Sequence, residues 1–224
     1  MEDVSSLKQN PRIAGMDKEI INLYQVIINT FNNTEIHREI GIPEIRTSLI
    51  SGPRGVGKKS LVQHVCKKIP AKLFIISLSS IIIKYDLLEN VELGTKTREE
   101  GSDNDENDPI RSIFIRAKLS APSVILLKDL DILAKGQDGE WRLKIMNMLK
   151  RECQEIYEKV FIIGLTCDAV KLPDSMRKLD FFQHNLNLDL PTRIQREEIL
   201  ELCLSNLRII NSEEIDDLVK RLGM

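Results

Sequence analysis

Thr47-Ser48-Leu49-Ile50-Ser51-Gly52-Pro53-Arg54-Gly55-Val56-Gly57-Lys58-Lys59-Ser60-Leu61-Val62-Gln63-His64-Val65 is the stretch on which the reading of this chain turns. A short run of strand character, Thr47 to Ser51, passes into a glycine-rich loop and then into residues of helical period. Gly52 to Lys58 spells G-x-x-x-x-G-K in the strand, loop and helix setting that phosphate binding requires. Glycine permits backbone angles closed to other residues, so successive N–H groups can turn inward on phosphate oxygens, and the positive end of the following helix adds to them. Lys58 then reaches the β and γ phosphates, and Pro53, Arg54, Gly55, Val56, Gly57, Lys58, Lys59 and Ser60 are the candidate cofactor-binding residues. A glycine-rich turn followed by lysine can also be a mere connection, but this context favours phosphate. The position after Lys58 should carry a Ser or Thr hydroxyl to ligate Mg²⁺. It holds Lys59, whose ammonium group cannot ligate a cation, while Ser60 comes one residue late, about 100° further round the helix. Lys59 can neutralise phosphate directly, which favours metal-independent binding.

Outward from the loop, apolar runs of strand length alternate with segments of helical period, the pattern of βαβ units around a parallel sheet. The other strands are read at Leu73 to Leu78, Val124 to Leu127, Val160 to Leu165 and Asn185 to Leu190. The middle three are apolar nearly throughout, as strands covered on both faces should be. Helices are expected at Asp17 to Thr30, Lys58 to Lys68, Pro109 to Leu119, Glu140 to Tyr157, Thr192 to Leu204 and Ser212 to Leu222. Between Leu87 and Asp108 the pattern breaks, and Glu99 to Asp108 carries a dense run of acids with Gly101 and Ser102 among them. This reads as a mobile acidic insertion, either merely solvated or used for docking.

The chain has 224 residues, enough for one large α/β unit or one domain with an appendage. Its hydrophobic share of 42% and charged share of 29% place it among globular chains and exclude disorder. Lys plus Arg number 32 against 34 Asp plus Glu, for a net charge of −2, so no basic field draws it to nucleic acid. Cys66, Cys153, Cys167 and Cys203 form no C-x-x-C pair, which disfavours a disulfide framework or a zinc site. The polar start lacks a signal-peptide core, and no apolar run reaches the roughly 18 residues of a membrane span. A soluble protein of the cytoplasm or nucleus is expected. Trp141, His37, His64 and His184 are assigned no role.

With the phosphate loop in place, the chain from about Ile13 onward resembles the ATPase domain of the AAA family, in particular its valosin-containing-protein-like, Afg-type and peroxin-type members. Ile13-Ala14-Gly15-Met16-Asp17 resembles the entry motif whose backbone lies against adenine, which adds Ala14 and Gly15 to the cofactor residues. Ser80-Ile81-Ile82-Ile83-Lys84-Tyr85 stands where the family carries its first pore loop, with Lys84 and Tyr85 at the substrate-gripping position. Ala121 to Asp131 is similar to the second phosphate-site strand, normally closed by Asp-Glu. Here the Mg²⁺-supporting Asp is Lys128 and the water-activating Glu is Asp129, a weak candidate base. Val160 to Cys167 resembles the strand that ends in Thr-Asn, with Cys167 at the sensor position. The two arginine fingers fall at Lys178 and Phe181, with Arg177 beside them.

The resemblance implies an α/β fold of the P-loop NTPase kind: a three-layer αβα arrangement with a five-stranded parallel sheet and a truncated helical lid. Residues 1–12 would be a tail, 13–190 the large nucleotide-binding domain with its insertion at 87–108, and 191–224 the start of the small lid domain. The lid's remaining helices are missing, which suggests either a shortened form or a piece of a longer, tandem chain. Lys59, Lys128, Cys167 and the finger positions depart together while the apolar frame persists. The implied function is an ATP-binding module of a protein-remodelling, hexamer-like assembly, with ring neighbours as partners, a polypeptide as a candidate substrate, and weak or absent hydrolysis. No metal ligand is secure, Ser60 and Asp129 being the oxygen donors that could serve. Two alternatives stay open: a working Mg²⁺-dependent ATPase that unfolds protein, and a scaffold that binds no nucleotide.

Overall fold

The computed structural model describes residues 13–41, 44–83, 109–134, 140–154, 159–177 and 181–205. Five strands, β1 (Thr47–Ser51), β2 (Lys72–Ser77), β3 (Ser123–Lys128), β4 (Val160–Thr166) and β5 (His184–Asn187), form one sheet in the order β2-β3-β4-β1-β5. Every pairing in it is parallel. The helices with both ends described are α1 (Asp17–Asn32), α2 (Thr34–Ile40), α3 (Lys58–Lys68), α4 (Pro109–Leu119), α5 (Glu140–Gln154), α6 (Asp174–Arg177) and α7 (Arg193–Ser205); residues 78–83 are helical as well, so Leu78, expected in the second strand, lies past its end.

Alternation along the strands divides the core in two. Val124, Leu126, Phe161, Ile163 and Ile50 point to one face, where Ile20, Leu23 and Ile27 of α1 and Leu61, Val62 and Val65 of α3 cover them. Ile125, Leu127, Ile162 and Leu49 point to the other, against Ile110 and Phe114 of α4 and Ile145 and Leu149 of α5. A strand with both faces covered has no use for polar residues, and β4 is buried along its whole length. Each such Leu, Ile or Phe contributes about 1.5–3 kcal/mol by leaving water. The expected αβα layering and five-stranded parallel sheet are therefore present.

The element boundaries differ in places. Strand β5 covers His184–Asn187 and stops before Leu188, because the chain turns there to pass the phosphate loop. Helix α1 runs to Asn32, and α2, which the sequence reading missed, follows it. Thr30 ties this corner, donating from Oγ1 to the carbonyls of Val26 at 2.8 Å and Ile45 at 2.6 Å. Helix α7 begins after Thr192 with a reciprocal cap: Thr192 N–H donates to Gln195 Oε1 at 2.8 Å, and Gln195 N–H to Thr192 Oγ1 at 3.4 Å. Phe181, a finger position in the family frame, is 5% exposed and packs edge-to-face on Phe182 with ring centroids 4.8 Å apart. It is a core residue. The tail 1–12, the acidic insertion 87–108, Lys84, Tyr85, Lys178 and the helix expected at Ser212 to Leu222 lie outside the described residues.

Candidate functional site

Parallel pairing brings the carboxyl ends of β1, β2, β3 and β4 to one edge of the sheet, the edge at which open α/β folds bind ligands. The phosphate loop leaves β1 there. Leu188 N–H donates to the Ser51 carbonyl at 2.8 Å. Gly52, at φ +149, then lies so close to the Leu188 carbonyl that a Cβ would collide with it. Gly55 and Gly57 complete the bend at φ +83 and +99, and Gly57 caps α3. Leu61 N–H is the first to reach back along the helix, to Gly57 O at 2.9 Å, which leaves the amides before it without helical acceptors and free to meet an anion. Lys58 folds over the loop, its Nζ donating to the carbonyls of Gly52 at 2.5 Å and Pro53 at 2.8 Å.

Two cavities meet at this loop. The first, about 680 Å³, lies between the loop and the ends of β3 and β4, and its walls include Arg54, Lys58, Lys59, Ser60, Ser79, Lys128, Asp129, Asp131, Thr166 and Cys167. The second, about 490 Å³, is walled by Gly15, Met16, Glu19, Val56, Leu188 to Thr192, Gln195 and Ile199. Arg54 and Gly55 belong to both. Gly15, at φ +73, packs on α7: a Cβ there would stand 3.0 Å from Gln195 Cβ. Met16 Cε lies 3.0 Å from where a Cβ on Gly57 would be. The entry segment, the loop and α7 thus enclose one hollow, with Gly15 in its wall and Ala14 outside it. Arg177, at the end of α6, pairs with Asp174 and lines neither cavity.

The wall opposite the loop carries two carboxylates. Asp129 follows β3 at φ +63, a left-handed conformation that Asp tolerates better than most side chains. Its Oδ2 accepts from Ser79 Oγ at 2.6 Å and Ser77 Oγ at 2.8 Å. Burial alone would raise its pKa, but those two hydroxyls and the charge of Lys128 outweigh it, and the net direction is down. Asp131 Oδ1 accepts from Thr166 Oγ1 at 2.6 Å and Cys167 N–H at 2.8 Å. Burial works against its charge as well, and the bonds from Thr166 and Cys167 again bring the net direction below the ordinary value. Both groups are carboxylates at neutral pH, and each is already engaged with the ends of β2 and β4.

A strand-loop-helix phosphate cradle, a second hollow at its flank, and polar groups on the ends of β3 and β4 make up the candidate site. The family model for ATPase family associated with various cellular activities (AAA) matches residues 48–190, more than half of the chain. The chain belongs to the AAA family. Similar curated proteins include the chloroplastic ATP-dependent zinc metalloprotease FTSH 7 of Arabidopsis thaliana, 25% identical over 91% of this chain and 24% of its own length. The ribosome biogenesis ATPase RIX7 of Saccharomyces cerevisiae is 25% identical over 96% of this chain and 25% of its own. The ATPase family gene 2 protein of Schizosaccharomyces pombe is 24% identical over 93% of this chain and 24% of its own. The chain spans about a quarter of the length of these relatives.

In this AAA domain the donors for a divalent cation are not in place. The hydroxyl position after Lys58 is Lys59, and the carboxylate position at the end of β3 is Lys128, and both residues line the first cavity. Two unit charges 4 Å apart interact by about 4 kcal/mol near a protein surface, so a cation among these lysines is repelled where it should be held. Ser60, Asp129 and Asp131 line the same cavity, but Asp129 Oδ2 is taken by Ser77 and Ser79 and both oxygens of Asp131 by Thr166 and Cys167. Among the described residues, no group of three or more His, Cys, Asp or Glu side chains could hold a metal. The residues present do not fit Mg²⁺. Sequence reading passed over Asp131, Ser77, Ser79, Met16 and Gln195. Asp131 stood in the quoted strand motif, two residues beyond Asp129, while the two serines are brought in only by the pairing of β2 with β3.

Proposed function

We propose that this AAA domain binds a nucleoside triphosphate, ATP being the reference ligand, and hydrolyses it slowly or not at all. The observation that carries this reading is the asymmetry of the first cavity. Its loop wall keeps three positive-φ glycines and Lys58, folded over the loop. Its opposite wall presents Lys128, a carboxylate bound to two serines, and Cys167 where an amide side chain would position water. Loss of the catalytic set removes transition-state stabilisation, whereas the cradle provides ground-state binding. AAA proteins typically assemble and act on protein substrates, so the domain serves as a structural or regulatory unit beside hydrolysing ring neighbours in a protein-remodelling assembly. Bound nucleotide then stabilises the folded unit without turning over.

The rival reading is a working ATPase, favoured by the presence of Ser60 and Asp129 on the cavity wall. The two separate on one preparation, by equilibrium binding of labelled ATP followed by phosphate release over hours. The expected result is saturable binding, phosphate release at background, and a Kd at least tenfold higher for Lys58→Ala. Release well above background that Lys58→Ala abolishes would establish the rival. Failure to bind nucleotide at all would leave the scaffold reading.

A further inference from the structure

We infer that the first cavity takes a nucleoside triphosphate with no divalent cation, Lys59 and Lys128 supplying from the protein the positive charge a metal would bring. This rests on the nucleotide-binding reading above. The cavity wall sets four cationic side chains, Arg54, Lys58, Lys59 and Lys128, against two carboxylates, Asp129 and Asp131. Neither Lys59 nor Lys128 forms a salt bridge among the described residues. Neutral hydroxyl and main-chain donors orient the two carboxylates without cancelling their charge, so four cationic residues against two anionic ones leave the cavity net positive. A metal-free triphosphate, with nearly four negative charges at neutral pH, complements it better than a magnesium complex carrying about half that charge. The two lysines also come from opposite sides, one from the first turn of α3 and one from the end of β3. Both line the same cavity, one from its loop side and one from its strand side. A compact ammonium on a flexible stem is suited to meeting phosphate oxygens as a point charge.

Calorimetric titration of the full chain with ATP, once in excess EDTA and once in excess MgCl₂, tests this. Affinity in EDTA equal to or tighter than that in Mg²⁺ is the expected result. Affinity that rises markedly with Mg²⁺ overturns the inference and leaves the nucleotide reading standing. Absence of binding under both conditions overturns both. The double substitution Lys59→Thr, Lys128→Asp restores the metal-type donors, and its affinity in EDTA should drop tenfold or more and recover with Mg²⁺. Lys59→Thr alone, at an exposed first-turn position, gives the same comparison should the double variant fold poorly. Unchanged affinity of that single variant in EDTA would remove Lys59 from the assignment.

Discussion

Asp131 joins two strand ends with a single carboxylate. It follows β3 by three residues, and its oxygens take the Thr166 hydroxyl and the Cys167 N–H at the end of β4. Asp131→Ala should cost about 1–2 kcal/mol in urea unfolding, since the Cys167 amide and Thr166 hydroxyl lose their acceptor in a partly closed site. Asp131→Asn, which keeps a carbonyl oxygen, should recover part of that. The pH dependence follows from the sign of its shift. The folded-state pKa lies below the ordinary value of 3.8, so the stabilisation is present above that value and is lost as pH falls through the folded one. Unfolding midpoints measured from pH 6 to pH 2 should fall less steeply below pH 4 in Asp131→Asn. A slope equal to that of the unsubstituted protein would mean that Asp131 is not the group responsible. Cys167 is a different case: it lines the first cavity, and its standing where the resemblance implies an amide side chain was plain from the strand motif. The role of its main-chain N–H was not, because an amide carries no sequence signature.

Strand β4 is buried along its whole length, and Gly164 is the reason it fits. A Cβ there would come within 2.5 Å of Leu130 Cδ1 and Phe182 Cζ, both fully buried. Gly164→Val should destabilise by about 1–3 kcal/mol through overpacking. Gly41→Ala, at the open C-cap of α2, meets no neighbouring atom and bears only the penalty of φ +73, about 1 kcal/mol. Chemical unfolding of the two variants side by side checks the order, and a reversed order would contradict the packing at β4. Elements with a well-marked buried apolar face were legible in the sequence, β1 and α3 to the residue. Helix α2 was not, because Ile36 and Ile40 are 51% and 64% exposed and leave no buried stripe to read. The end of β5 was misjudged for another reason. Leu188 and Leu190 look like strand residues, but the chain leaves the sheet at Leu188 to pass Gly52, a contact between segments far apart in sequence. Helix α7, expected from Thr192, begins at Arg193, with Thr192 and Gln195 capping it.

The molecule is two apolar half-cores on either side of one sheet, and that architecture follows from strand-length apolar runs with helical segments between them. The site's phosphate half was legible for the same local reason, since loop, strand and helix are contiguous in the chain. Of its other half, Gly15 was flagged through the entry motif, but Gln195 and Ile199 were not, because they come from the opposite end of the described chain and meet Gly15 and Met16 only in three dimensions. That convergence has a thermodynamic consequence. A nucleotide reaching from the loop into the second cavity touches the entry segment, the phosphate loop and α7 at once, and stabilises all three against unfolding. At a hundredfold excess over Kd the stabilisation is about 2.7 kcal/mol, which for a chain of this size is a rise in melting temperature of roughly 5–10 °C. Inorganic tripolyphosphate engages only the loop and should give a smaller rise. Gly15→Val forces a side chain toward Gln195 from a left-handed backbone and narrows the second cavity without touching the loop. It should therefore lower the response to ATP to that of tripolyphosphate while leaving the tripolyphosphate response unchanged. Melting curves of the two proteins with each ligand measure this directly. A full ATP response in Gly15→Val would place the base elsewhere, and loss of both responses would mean that the entry segment holds the phosphate loop itself in shape.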